Sequence, residues 1–436
     1  MSDPVLVIER LAAGGSGVGR VDGTVCFVPF TAPGDRLRVR ITARKRSWMQ
    51  GELLELLEPS PLRTEPPCPA FGRCGGCDWQ HLRYDAQCRA KQGLLGDALQ
   101  RIAGMSSPPV EETVAAPNPY GYRARAQFKL FSTDSGLTAG FFRRGSHLVI
   151  DLPEGCPVVT PAINAAMLRL RPLLTTVPDR DRIPQVSVEE GVGGVVAVVH
   201  YIGQQQERLV RLLSEWKQEL ELAGFFVQSG RKETLTRVFG DANLVYTVPS
   251  GGDASAEVSL AYGIGGFSQV NRQQNRTMVE LVRRLLALEP SGRLLDFYCG
   301  NGNLSLPLAT QVADLLGVEE YAPSVTSAID NARQLRVNNS TFKCCNAADE
   351  LQRLVAAGER FEAVVLDPPR SGAADLVLGL AALGAARLVY VSCDPATFAR
   401  DAALLESRKY HLVRAIPLDM FPHTAHLETV ALFLKQ

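Results

Sequence analysis

The sequence predicts an α/β protein of three domains: a small β-barrel first, a β-rich segment next, and an open parallel sheet flanked by helices last. Three observations carry this reading. At 436 residues the chain exceeds what one ordinary core accommodates. Over residues 5–58, the apolar runs VLVIERL, VCFVPF and RLRVRITARKR are broken by the glycine turn GGSGVGRVDG, the rhythm of a small barrel. From about residue 266, the runs RLLDFY, ADLLGVE, AVVLD and LVYVSC are separated by helical stretches, as buried parallel strands are.

The boundaries follow from composition. Residues 1–60 form the barrel, and the proline-rich PSPLRTEPPCP (59–69) leads out of it. Residues 61–265 mix strands with a few helices, and 266–436 form the α/β unit. With 46% apolar and 21% charged residues the chain reads as soluble and globular. No apolar run is long enough to span a bilayer, and MSDPVLVIERLAAGG lacks the basic start of a signal peptide. A cytoplasmic location is therefore expected. The net charge is zero, so any sign of a nucleic-acid partner has to come from local clustering.

The α/β region holds most of the chemistry. In RLLDFYCGNGNLSLPLA a buried strand enters a glycine-rich loop, and an apolar helix is expected to follow. Gly300 and Gly302 allow a sharp turn and a close approach to a ligand. Ser305 stands where a dinucleotide fingerprint has its third glycine, which argues against a pyrophosphate. Glu319 closes the next strand, where a carboxylate takes the hydroxyls of a ribose. This combination suits S-adenosylmethionine better than NAD. Asp367, in VVLDPPRSG, lies at the carboxyl end of a further strand, where open α/β sheets bind ligands. Cys393, in LVYVSCDPATFARD, ends the next one and reads as a nucleophile in the same cleft. Cys26, Cys299, Cys344 and Cys345 read as small buried hydrophobes.

CPAFGRCGGC spaces Cys68, Cys74 and Cys77 as C-x5-C-x2-C, and Cys156 supplies a distant fourth thiol, with Cys88 as its rival. In a reducing compartment such a group favours metal over disulfide. Zinc and a [4Fe–4S] cluster both accept four thiolates, and spacing alone does not separate them. Two basic stretches point to RNA. Arg36, Arg38 and Arg40 alternate along one strand and Arg44, Lys45 and Arg46 follow. Arg123, Arg125 and Lys129 share a second face, beside Tyr120 and Tyr122 as base-stacking candidates.

FSQVN, LDFYCGNGN, DPPRSG, SCDPATFARD and HLETVALF occur in that order, and together they resemble the RNA uracil-C5 methyltransferase family. The N-terminal barrel resembles a TRAM domain. The resemblance implies a Rossmann-like methyltransferase sheet, an OB-like TRAM barrel and a central domain carrying an iron–sulfur cluster. It makes Cys393 the nucleophile on uracil C6 and Glu428 the general base that removes the C5 proton. It places Gln269, Tyr298, Asn303, Glu319, Asn346 and Asp367 around S-adenosylmethionine, with Asp367 also facing the uracil edge. It assigns Cys68, Cys74, Cys77 and Cys156 to a structural [4Fe–4S] cluster. TRAM and cluster together mark the branch acting on 23S ribosomal RNA, with tRNA the alternative substrate. An inactive iron–sulfur RNA-binding protein is the rival of a different class. Arg370 occupies the place of the second cysteine in the DAPCSG loop of cytosine methyltransferases, which favours uracil. Asp394 departs from the family's usual Asn. His423 and His426 read as supports around the base rather than metal ligands. No protein partner is evident, and a monomer is expected.

Overall fold

A computed structural model describes residues 3–134, 136–230, 234–251 and 256–436. The first six strands are β1 (Val5–Val7), β2 (Arg10–Leu11), β3 (Gly17–Val21), β4 (Thr24–Val28), β5 (Arg36–Arg44) and β6 (Trp48–Glu58). They form one sheet in the order β1-β5-β6-β4-β3-β2, and β1 also touches β3, so the sheet curls around Leu6, Ile8, Cys26, Val28, Leu37 and Val39. Strand alternation turns Leu37 and Val39 inward and Arg36, Arg38 and Arg40 outward. The outward arginines pair with Glu58, Glu55 and Glu52 of β6, at 2.6, 3.1 and 3.5 Å. The basic face expected from the sequence is thus a balanced cross-strand ladder. Exposed positive charge remains at the hairpin tip, on Arg44, Lys45 and Arg46.

Turns carrying the clustered cysteines lead into α1 (Tyr84–Arg101). Next come β7 (Arg125–Thr133), β8 (Gly136–Phe142), β9 (Val149–Asp151), α2 (Pro161–Thr175), β10 (Gln185–Gly191), β11 (Gly194–His200), α3 (Gln206–Glu215), α4 (Lys217–Leu220), β12 (Gly224–Gln228) and β13 (Leu235–Gly240). They build a mixed sheet, β13-β12-β11-β10-β7-β8-β9. The β14 (Asn243–Pro249) and β15 (Glu257–Gly263) hairpin follows.

The last unit runs through α5 (Arg272–Leu286), β16 (Arg293–Phe297), β17 (Asp314–Glu319), α6 (Ala322–Gln334), β18 (Ser340–Cys344), α7 (Ala347–Ala356), β19 (Ala363–Leu366), α8 (Ala374–Leu380), β20 (Arg387–Ser392), α9 (Pro395–Glu406), β21 (Tyr410–Leu418) and β22 (Glu428–Lys435). Its sheet order is β18-β17-β16-β19-β20-β22-β21. The first five strands are parallel, and β22 runs antiparallel to both of its neighbours. Two elements that precede residue 266 dock on this unit. Leu95 and Leu99 of α1 share a core with Tyr390, Phe398 and Phe433, and the β14–β15 hairpin packs on α5 and α6. The segment after the glycine loop is no α-helix but a short 3₁₀ turn over Leu306–Gln311. Pro307 removes a backbone donor there, and the chain is extended again by Val312 to enter β17.

Candidate active site

The parallel register sets the site. Phe297 pairs with Val318 on one side and Leu366 on the other, so Tyr298, Glu319 and Asp367 follow side by side at the carboxyl ends of β16, β17 and β19. Glu319 pairs with Cys344, two residues before Asn346, which extends the row to β18. Glu319 accepts from the backbone N–H of Gly300 (3.1 Å) and of Tyr321 (2.8 Å), tying the ribose-type acid to the glycine loop. Gly300 and Gly302 both have positive φ, and a Cβ on Gly302 would lie 2.5 Å from Leu306. Glycine is required at that turn. Asn303 exchanges two 2.9 Å hydrogen bonds with Asn275 of α5. Asn346 is exposed and caps α7 through Ala348 N (2.9 Å). Gln269 is buried in the turn that precedes α5.

Cys393 and Glu428 are brought together by the antiparallel neighbour. Ser392 pairs with Thr429, and one further step sets Cys393 opposite Glu428. Glu428 is 3% exposed. Burial and the charge of Asp367 push its carboxyl well above the usual range, and Arg370 offsets part of this. Burial, then the charges of Glu428 and Asp367, push the Cys393 thiol up to about 11, again opposed by Arg370. Burial and Glu319 raise Asp367 to about 7. All three groups are thus shifted toward their protonated forms, in a pocket that favours added positive charge. Asp394 accepts from Ala396 N (3.0 Å) and Thr397 N (2.9 Å) at the start of α9, so the residue that replaces the usual Asn is a helix cap.

Two charged groups bear on the site beyond the roles read from the sequence. Arg370, read there only as favouring uracil over cytosine, is a cation that opposes the upward shifts of both Cys393 and Glu428. The signal was its place in DPPRSG, one strand end away from the nucleophile. Asp296 is fully buried, and burial raises it to about 8, with the Ser305 hydroxyl beside it offsetting part of the shift. The charges of Asp367 and Glu319 also bear on it. Its place inside an apolar strand gave no hint of this.

Other expectations need correction. Tyr122 is buried, and its hydroxyl donates to Pro422 O (3.1 Å), while Tyr120 stacks on His423 at 4.2 Å. Tyr122 is therefore not a base-stacking surface. Arg125 is engaged by Glu189 and Gly266 O, and Lys129 by Gln185. His423 hydrogen-bonds Gln87 of α1, and burial depresses it to about 4. Cys26 and Cys299 are buried as expected, but Cys344, at the end of edge strand β18, is exposed and Cys345 is half-buried.

Cys68, Cys74, Cys77 and Cys156 all line one cavity of about 760 Å3, with Arg123, Lys129, Arg143 and His426. All four are free thiols. Burial pushes Cys77 up to about 12 and Cys156 to about 11, and the other cysteines of the group add to both shifts. Cys68, Cys77 and Cys156 are buried and Cys74 is half-buried, and four thiols on one cavity wall are a donor set of the kind a multi-atom metal cluster takes. Cys88 stands apart, near Asp419, Lys91 and Tyr84. Among the described residues, no three His, Cys, Asp or Glu side chains are gathered closely enough for a single ion.

Comparison with known proteins fits this geometry. Residues 83–436 match the family described as tRNA (Uracil-5-)-methyltransferase, and residues 6–62 match the TRAM domain of tRNA (uracil(54)-C(5))-methyltransferase. The chain is 36% identical to an uncharacterized RNA methyltransferase of Thermosynechococcus vestitus, covering 98% of this chain and 97% of the relative. It is 36% identical to the 23S rRNA (uracil(1939)-C(5))-methyltransferase RlmD of Vibrio cholerae, covering 99% and 96%. The crystal structure of Pyrococcus abyssi tRNA (uracil-54, C5)-methyltransferase with S-adenosyl-L-homocysteine superimposes with a TM-score of 0.76 at 25% identity, covering 98% of this chain and all of that one. By that match over residues 83–436, with the TRAM match before it, the chain belongs to the tRNA (uracil-5-)-methyltransferase family.

Proposed function

We propose that this protein methylates C5 of a uridine in 23S ribosomal RNA, using S-adenosylmethionine and a covalent Cys393–C6 adduct. The observation that carries the chemistry is the Ser392–Thr429 rung, which brings Cys393 and Glu428 to one end of the sheet beside the cofactor row. An RNA substrate is supported by the TRAM match, and 23S rRNA by the full-length likeness to relatives named for it. The same chemistry on tRNA is the second reading, favoured by the fold match to the Pyrococcus abyssi enzyme.

Uracil C5 is a poor nucleophile until something adds at C6. Addition of the Cys393 thiolate there makes the ring an enolate, with the protons of the thiol and of Glu428 released to water so that the carboxylate is free for the later step. When bound, S-adenosylmethionine supplies an electrophilic methyl group. Glu428 then takes the C5 proton, C5=C6 re-forms, and Cys393 leaves. Glu319 and the Gly300–Gly302 turn hold the ribose side of the cofactor, with Tyr298, Gln269, Asn303, Asn346 and Asp367 around it. The target uridine has to leave its stack to reach Cys393. The four cysteines at the cavity hold a [4Fe–4S] cluster as a structural staple, a reading that rests on four thiolates and the exclusion of Cys88 from the group. Division at residues 60 and 265 and action as a monomer belong to the same proposal, with α1 and the β14–β15 hairpin docked on the catalytic unit.

The test is to map 5-methyluridine in RNA from a strain lacking the gene. Loss of one such nucleotide from 23S rRNA is expected. Loss from tRNA alone would transfer the activity to the second reading. No methyl transfer from labelled cofactor to RNA of that strain would mean an inactive RNA-binding protein.

A further inference from the structure

The loop Asp419–Leu427, which leads directly into Glu428, is held at its start from the α5 side, where Asn271 donates to Met420 O (3.2 Å) and Gln274 to Asp419 O (3.0 Å), and along the rest of its length mainly by the segment from Asp78 to Lys91. Gln87 and Lys91 lie one turn apart on α1 and are fully buried. Gln87 accepts from His423 N (2.9 Å), and its amide also meets His423 Nδ1 (3.1 Å). Lys91 pairs with buried Asp419 and donates to Phe421 O (3.0 Å). The backbone N–H groups of Asp78 and Trp79 both donate to His423 O, at 2.8 and 2.9 Å. The Asp78 carboxylate accepts from Ala425 N (3.3 Å). His423 sits at φ +64°, a conformation a non-glycine residue holds only when its surroundings impose it. Asp78 directly follows Cys77. The cysteine-bearing segment and the loop before the base are therefore one hydrogen-bonded unit.

We propose that Asp78, Gln87 and Lys91 are positioning residues that clamp the Asp419–Leu427 loop over Glu428, so that the cysteine-bearing segment governs deprotonation at C5 rather than methyl transfer. The inference rests on reading Glu428 as the base. None of the three touches Cys393 or the row of cofactor residues in the contacts described above. Loosening them should leave RNA binding, cofactor binding and adduct formation intact while misplacing the base.

The test uses full-length protein, labelled S-adenosylmethionine and total RNA from cells lacking the gene, which contains the target whichever RNA carries it. Gln87→Met, Asp78→Asn and the charge-neutral double variant Lys91→Met with Asp419→Asn are compared with wild type. Methylated protein–RNA adduct is followed on denaturing gels. Adduct should form within about twofold of the wild-type rate and persist about ten- to a hundredfold longer, with kcat lowered and kcat/KM for RNA unchanged. A role in folding alone would instead weaken cofactor binding and slow adduct formation together. That result in all three variants overturns the proposal, as does normal turnover in all three. Glu428→Gln is run alongside. Its failure to accumulate adduct sinks the base assignment itself, whereas a stalled Glu428→Gln beside normal clamp variants sinks the clamp alone.

Discussion

Ser392 and Thr429 pair across the antiparallel β20–β22 ladder, and this rung delivers Cys393 and Glu428 to the same end of the sheet from positions 35 residues apart in the chain. In the proposed mechanism, addition at C6 and proton removal at C5 fall to these two residues on adjacent strands.

Cys393→Ser should bind RNA and cofactor yet form no adduct, and turnover should fall by at least about a thousandfold. Glu428→Gln should add to C6 and accept the methyl group, then stall as a methylated adduct, with turnover down about 10²–10⁴-fold. Denaturing electrophoresis with methyl-labelled cofactor reads both. Wild-type turnover in Cys393→Ser would remove the nucleophile assignment.

The pH dependence of Cys393 alkylation should report its carboxylate neighbours. Burial first, then Glu428 and Asp367, raise the thiol to about 11, so little thiolate exists at neutral pH and alkylation by iodoacetamide should climb with pH toward that value. Glu428→Gln removes one negative neighbour, which lowers the thiol pKa and moves the curve to lower pH. A curve unmoved or moved upward would show that Glu428 does not face Cys393.

Anaerobically purified protein should be brown and contain about four iron and four sulfide per chain. Cys156→Ala should lose both, and Cys88→Ala should keep them, because Cys88 lies near Lys91 and Asp419 instead of on the cavity wall. Stoichiometric zinc without sulfide would overturn the cluster.

Replacing Arg44, Lys45 and Arg46 with glutamine should weaken RNA binding and flatten its dependence on log salt, by up to about 2 in slope for three phosphate contacts at ~0.7 each. Arg38→Gln should change that slope little, because Arg38 is paired with Glu55. Equal effects from the two would return the RNA contact to the strand face.

Asp394→Asn should leave thermal stability and activity near wild type, since both residues cap helices equally well, whereas Asp394→Ala should cost about 1 kcal/mol. A large loss in Asp394→Asn would show that the carboxylate acts in the cleft as well as at the helix.

Much of this was legible before the fold was seen. Glu319, Asp367 and Cys393 stand at the ends of apolar runs, and in a parallel sheet such ends converge on one edge because every strand points the same way. A small barrel was legible in the strand and glycine rhythm and Cys68, Cys74 and Cys77 in their spacing, whereas the TRAM reading and the choice of Cys156 over Cys88 came from family likeness. Glu428, Gln269, Asn303 and Asn346 came from family likeness, because no periodicity marks them.

Only the tertiary structure decided the rest, and the reason is pairing between residues distant in sequence. Arg36, Arg38 and Arg40 read as a free basic face until Glu58, Glu55 and Glu52 are laid beside them. Tyr122 read as a stacking platform until its hydroxyl met Pro422. Local sequence determines which face a side chain takes on its own strand. The neighbour that pairs with it, buries it or shifts its proton arrives from elsewhere in the chain, and that neighbour decides whether a charge is free, a thiol ionises or a carboxylate acts as a base.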